Sequence, residues 1–369
     1  MTLRTKVALG LLVFVPISIA AERLGMGAGA VFLTSALAIL PLAVWLSTAT
    51  EELALALGPS IGALLNALFG NATELIIALT ALKAGLVDIV KASITGTVVA
   101  SLLLALGLSM LVGGIGRQEQ RFQPVLARVN GTAMSLAVLA ILIPSLTGMG
   151  EGGHGVGTER FSTFVAWVLL LVYGLTLLFS LRTHSGLYEV AEVELGEAGS
   201  TSDAEPSSHA PPILPWLLVL VAATAGVAYE SELFVGVVEE VTARVGLSAL
   251  FTGVVLLPLL GGVAEYLTAV TMARKNKMDL AVSVVLGSTL LVALLVVPIL
   301  VLVGPLLGHP LDLNFQIYEL MAIATAVVVS NLVSLDGRSD WLEGVLLLAA
   351  YVILAAGFYF QSMPLATVS

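Results

Sequence analysis

The chain has 369 residues, 58% of them hydrophobic and 11% charged, with a formal net charge of -10. A soluble domain carries about 25% charged residues, so a water-soluble fold is excluded, and the acidic balance argues against a nucleic-acid partner. The absence of cysteine excludes a disulfide framework and a thiolate metal centre.

Apolar runs of about 20 residues recur from end to end, the length that crosses a bilayer core. They are continuous and rich in Leu, Ala, Val and Gly, whereas barrel strands alternate over about 10 residues. The sequence therefore predicts an all-α integral membrane protein. Eleven spans are expected, over 7–21, 27–48, 57–82, 87–112, 124–146, 162–181, 213–229, 246–273, 279–304, 317–335 and 341–361. The first run follows Arg4 and Lys6 and looks like a signal peptide. A second run follows closely, so it reads as a membrane helix, with a cleaved signal as the alternative.

The long polar stretch, 182–212, holds Glu189, Glu192, Glu194, Glu197, Asp203 and Glu205. It lacks the D-x-D-x-D-G pattern of an EF-hand loop, so solvated linker and regulatory acidic loop are both open readings. The chain divides into an N-terminal helix (1–26), five spans (27–181), this loop (182–212) and five more spans (213–369). If the N-terminus is cytoplasmic, ten of the 15 Lys and Arg fall inside and five outside. That bias supports a cytoplasmic N-terminus and a cytoplasmic loop.

A repeat joins the halves. GNATELIIALTALKAGLVDIVKASITG starts at Gly70 and GGVAEYLTAVTMARKNKMDLAVSVVLG at Gly261, an offset of 191 without a gap. It matches Gly70 with Gly261, Glu74 with Glu265, Lys83 with Arg274, Asp88 with Asp279 and Gly96 with Gly287. Each half has five spans, so the second copy enters the membrane reversed. Inverted repeats of this kind place a site near the midplane.

Glu74 and Glu265 lie inside spans, where a charge is costly and points to function. Two facing carboxylates can neutralise a divalent cation, and without one, desolvation and repulsion favour protonation instead. Competition between cation and protons for one site is what an antiporter requires. A buried ion pair, or a carboxyl kept protonated by packing, is the structural alternative. Gly70, Asn71, Gly261 and Gly262 suit a broken helix whose freed carbonyls bind a hard cation, and Pro258 would kink the second copy. Gly96 and Gly287 stand 22 residues beyond each Glu and read with them as helix-break glycines. Thr97, Ser288, Ser101 and Thr289 offer further oxygens, or bond back to their own helices. Asp88 and Asp279 read as helix-start residues. Glu51 and Glu52 attract cations or simply end a helix.

GNATELIIAL from Gly70 and AVTMARKNKMDLAVSVVLGS from Ala269 resemble the two repeat motifs of the H+/Ca2+ exchangers, the CAX branch of the Ca2+/cation antiporter superfamily. LRTHSGLY from Leu181, PLDL from Pro310 and DGRSDWLEG from Asp336 are similar to that branch too. The resemblance implies a sodium/calcium exchanger-like fold of eleven helices with spans 3, 4, 8 and 9 around the site. It implies Ca2+ export driven by proton entry, with Glu74 and Glu265 as the ion-binding carboxylates and Asn71 beside them. The chain departs from the family pattern at Gly262, where Asn is usual, Tyr266 (His), Leu291 (Gln) and Ser101 (Asn).

The expected function is Ca2+/H+ antiport, with Ca2+ and H+ as substrates, lipid as the surroundings and no cofactor. Exchange of Na+, K+ or Mn2+ for protons, Na+/Ca2+ exchange, a channel and a non-transporting scaffold are the alternatives. Homo-oligomer formation is left open. Neither a Walker A loop nor a nucleophile elbow is present, so no enzymatic activity is expected. The short N-terminus suggests a prokaryotic cell membrane.

Overall fold

The computed structural model describes residues 3–150, 156–183 and 211–361. The acidic segment with Glu189, Glu192, Glu194 and Glu197 lies outside them. The chain opens with α1 (Leu3–Leu11) and α2 (Phe14–Arg23), then α3 (Ala28–Leu57). Gly58, at φ 84, turns α3 into α4 (Pro59–Phe69), a conformation that glycine adopts without a Cβ penalty. Next come α5 (Ala72–Lys83), α6 (Val87–Gly114), α7 (Pro124–Gly150) and α8 (Val156–Leu178). The second half holds α9 (Ile213–Arg244), α10 (Ala249–Gly261), α11 (Val263–Arg274), α12 (Met278–Leu307), α13 (Ile317–Val333) and α14 (Trp341–Gln361).

Among the described residues seven helices are long and apolar enough to cross a membrane, or eight if the bent pair α10–α11 is one span. Large apolar side chains such as Leu171, Trp167 and Ile353 are 60–70% exposed, which only a lipid solvent tolerates.

Two spans are longer than predicted. The run expected over 27–48 continues to Leu57, and that over 213–229 continues to Arg244. The polar residues 229–232 suggest an ending, but the buried stripe goes on through Val227, Glu230, Ser231, Phe234, Val235 and Val238. That is helical spacing, and it overrides the local polarity.

The 191-residue offset reaches the helix ends. α5 maps onto α11 at both ends, and the start of α6 onto the start of α12. Each of these long helices widens into a π turn at the same place, Ala100–Ala105 in α6 and Val292–Val296 in α12.

Loops gather in two clusters. In one, Lys83 pairs with Glu232 at 2.9 Å, buried Lys91 pairs with Asp312, and Ser162 accepts from the Leu313 N–H. In the other, strands β1 (Gln120–Arg121) and β2 (Arg338–Ser339) pair antiparallel. There Gln120 donates to the Ala273 carbonyl and to Asn276 at 3.0 Å. Glu119 bridges Arg121 and Arg338, and the Arg121 hydrogen bond holds its carboxyl below the usual carboxylate range. α6 runs from the first cluster to the second. The α5–α6 turn and its repeat equivalent, the α11–α12 turn, therefore lie at opposite ends, as inversion requires.

The interior has two main parts. A large core fills the space around α5, α6, α8, α12 and α13. A second joins α3 to α9 through Leu42, Leu46, Leu53, Leu220 and Val227. Elsewhere glycines let helices touch: a Cβ on Gly344 of α14 would stand 2.3 Å from the Leu111 nitrogen of α6. Gly344→Ala is therefore expected to cost about 1–3 kcal/mol and lower the thermal midpoint in detergent. Gly174→Ala, with nothing within 4 Å, should leave it unchanged.

Candidate functional site

The site is built where two helices break. The span expected over 57–82 stops at Phe69 and restarts at Ala72, with Gly70–Asn71 between. The second copy breaks at Gly262, where α10 and α11 meet at a 61° bend. Pro258 lies inside α10, just past the π turn Thr252–Leu256, so the sharp bend is the glycine's. Each break leaves free carbonyls at the end of one helix and free N–H groups at the start of the next.

Glu74 and Glu265 occupy the first turns of α5 and α11, at the positive ends of the helix dipoles. They lie within electrostatic range of each other. The Glu74 side chain rests on the backbone of the other copy, since a Cβ on Gly261 would stand 2.8 Å from its Cγ. Its Oε1 is buried without a hydrogen-bond partner. Asn71 donates from Nδ2 to Ser288 Oγ at 2.8 Å, which stitches the first break to α12 of the second half. Gly70 approaches the same helix at Leu291.

The mirrored positions are Gly262 and Thr97, and there the amide is missing. The Tyr266 ring fills the room instead: a Cβ on Gly262 would stand 2.5 Å from its Cζ and 2.6 Å from its Oη. The phenol is buried near Glu74, Glu265 and Ser101. Its oxygen and Ser101 Oγ are buried neighbours, with no hydrogen bond of good geometry made by either or by Tyr351 Oη. Ser101 is carried by the π turn of α6, which faces it differently from its neighbours.

Other expectations resolve differently. Thr289 bonds back to the Val285 carbonyl at 2.8 Å, the structural alternative for a helical hydroxyl. Gly96 and Gly287 sit inside continuous helix, so neither breaks one. Gly96 instead lets α10 cross α6, because a Cβ there would stand 2.2 Å from the Val254 carbonyl oxygen. Asp88 and Asp279 lie in first turns without capping the N-cap position. Asp279 instead accepts from the Gln123 N–H. Glu51 stays local, accepting from Ser47 at 2.9 Å.

Sequence reading missed several buried charges on α6, on α13 and in the loop before it. Lys91 is 6% exposed and reaches Asp312 and the Asn314 carbonyl. Glu319 caps α13 through Gln316 and accepts from Thr95 of α6. The PLDL stretch around Asp312 was the one available signal. Among the described residues no three His, Cys, Asp or Glu side chains converge, so a cation held here takes its remaining oxygens from hydroxyl, amide and carbonyl groups. That is a donor set for a hard cation.

Replacing Asn71 and Ser288 by alanine, singly and together, should reveal a coupling of about 0.5–1.5 kcal/mol. Unfolding of the four proteins in detergent measures it, and additive effects would mean that the two halves are not joined there.

The family described as sodium/calcium exchanger protein matches residues 27–182 and 215–360. A Ca(2+)/H(+) antiporter of Aphanothece halophytica is 50% identical over 362 residues, covering 95% of this chain and 96% of its own. A Ca(2+)/H(+) antiporter of Synechocystis sp. is 49% identical over 368 residues, covering 98% and 99%. The solved structure of native YfkE superimposes with a TM-score of 0.81 at 36% identity, over 96% of this chain and 99% of that one.

Proposed function

The chain belongs to the sodium/calcium exchanger protein family, and on that premise we propose that it is a Ca2+/H+ antiporter whose ion site is formed by Glu74 and Glu265. The observation that carries this reading is the meeting of two inverted helix breaks, each with a glutamate in the first turn beyond it. The relatives named Ca(2+)/H(+) antiporters, similar over nearly their whole length, support it.

In this reading the glutamates share their negative charge with one Ca2+, helped by Asn71, Ser288, Ser101 and Thr97 and by carbonyls at the breaks. Protons arriving on the other side neutralise the carboxyls and displace the ion. Each pH unit supplies about 1.4 kcal/mol per proton, so several protons drive one divalent ion uphill.

Alternating access is supported by an asymmetry between the repeats. α10 is seated on α6 at Gly96, whereas Gly287, the equivalent glycine of α12, is exposed with nothing within 4 Å of a Cβ. Gly70 is exposed as well, while Gly96, Gly261 and Gly262 are buried. The site is thus sealed by the second half-helix and open beside the first. We assign the open side to the cytoplasm, with a cytoplasmic N-terminus, eleven crossings and 182–212 as the cytoplasmic linker between the repeats. A prokaryotic cell membrane is the proposed location.

A second reading keeps the antiporter and changes the ion. Its basis is the Tyr266 ring over Gly262, which replaces an amide with a bulkier, single oxygen.

Proteoliposomes with an imposed pH gradient separate these readings. Wild type should take up Ca2+ only with the gradient, and Glu74→Gln or Glu265→Gln should abolish uptake, with the protein still folded. A gradient-dependent response to Na+, K+ or Mn2+ in place of Ca2+ would favour the second reading. Ion flow without proton coupling would indicate a channel. Because the chain has no cysteine, Gly287→Cys supplies a single thiol. It should react with an impermeant maleimide from the cytoplasmic face, and labelling from the opposite face alone would reverse the assignment of sides.

A further inference from the structure

A further acidic side chain is buried between α9 and α2. Glu230 of α9 is 0% exposed, as is its neighbour Ser18 of α2. Ser18 Oγ lies 2.7 Å from Glu230 Oε1 and 2.8 Å from the Val15 carbonyl oxygen. A serine hydroxyl has one hydrogen, and a backbone carbonyl has none to give. If Glu230 were ionised, one hydrogen would have to be shared by two acceptors in a three-centre bond, weaker to each than a bond of its own. With a proton on Glu230 both contacts are ordinary hydrogen bonds: the acid donates to Ser18, and Ser18 donates to Val15.

The other carboxyl oxygen points the same way. Glu230 Oε2 is buried with no hydrogen-bond partner, and so is the adjacent Ser231 Oγ. A lone carbonyl-like oxygen of a neutral acid tolerates this far better than half of a carboxylate charge. Among the described residues no Lys or Arg pairs with Glu230. α2 offers Glu22, which faces Glu230, and Arg23, which lies near Tyr229. Lys83 of α5 is committed to Glu232 at 2.9 Å. α3 carries only Glu51 and Glu52, and it meets the next turn of α9 through the Phe32–Phe234 stack at 4.9 Å.

We propose that Glu230 is a proton-binding site separate from the Glu74–Glu265 pair, an uncharged acid that clamps the N-terminal helices onto α9. The clamp bears on the ion site at one remove. Ala8 of α1 shares a small apolar cluster with Val44 of α3 and Ala264, the residue before Glu265. Removing the proton leaves an unpaired charge in a sealed helix contact, so α2 separates from α9 and the cover over the start of α11 loosens. This inference does not depend on which cation is carried.

Infrared spectroscopy of the full chain in nanodiscs tests the proton. In a Glu74→Gln, Glu265→Gln background at neutral pH, adding Glu230→Gln should remove one protonated-carboxyl band, and Ser18→Ala should shift that band. An unchanged spectrum on Glu230→Gln overturns the proposal. The clamp has its own readout in Ala21→Cys, a single thiol at a position 1% exposed. Its maleimide labelling, divided by that of the same thiol in the unfolded chain to remove the pH dependence of the thiolate, should rise several-fold from neutral to alkaline pH and stay flat when Glu230→Gln is added, because glutamine keeps a neutral donor to Ser18. Equal rises in both proteins would overturn the clamp. Neither readout uses Ca2+, so failure here leaves the antiporter reading standing, and failure of transport leaves this one standing.

Discussion

A backbone inside lipid has to satisfy its own polar groups, and this chain breaks that rule in two places only by burying the breaks against each other. Helix is the one open-ended structure that closes all its hydrogen bonds within a segment. Where α10 gives way to α11, Gly261 and Gly262 are buried, and where α4 gives way to α5, Asn71 is buried while Gly70 is exposed. The glutamates follow from this. A carboxylate is least costly at a helix start, where free N–H groups converge, and each break supplies one. Inversion then brings the two starts together. The π turns at matching positions in α6 and α12 belong to the same design, since they re-aim side chains such as Ser101 without a further break.

The membrane class, the repeat and both glutamates were legible in the sequence, because each is a local signal. An acidic residue within a long apolar run needs no partner to be noticed, and a gapless match of 27 residues between Gly70–Gly96 and Gly261–Gly287 needs no structure. What the sequence hid were relations between distant positions. Lys91 finds Asp312 across 221 positions, and Ser18 finds Glu230 across 212. The run-on of α9 past Glu230 was hidden for a related reason: its polar residues look like an end until their partners are known. Gly96 and Gly287 share one motif yet have different surroundings, one pressed against Val254 and one open. Equivalent positions in a repeat cannot announce a difference in state.

The two breaks are not equivalent in chemistry either. The first presents an amide to Ser288, and the second presents a phenol over a glycine. Gly262 and Tyr266 are one change in packing terms, because the ring occupies volume that any side chain at 262 would need. Restoring an amide at Gly262 alone would collide with Tyr266, so the pair constrains itself.

The apolar seam between α3 and α9 runs on into the large core, to which α3 adds Ala36 and Ile39 and α9 adds Phe234 and Val235. Its Leu, Ala and Val side chains attract through contact area alone. The remaining helices are fastened by the loop tie at Gln120 and by the ion pair of Lys91 with Asp312. A contact that is apolar for most of its length says little about where along it two helices should stop, so the seating of α9 rests on a few directional contacts, the Phe32–Phe234 stack and the Lys83–Glu232 pair among them.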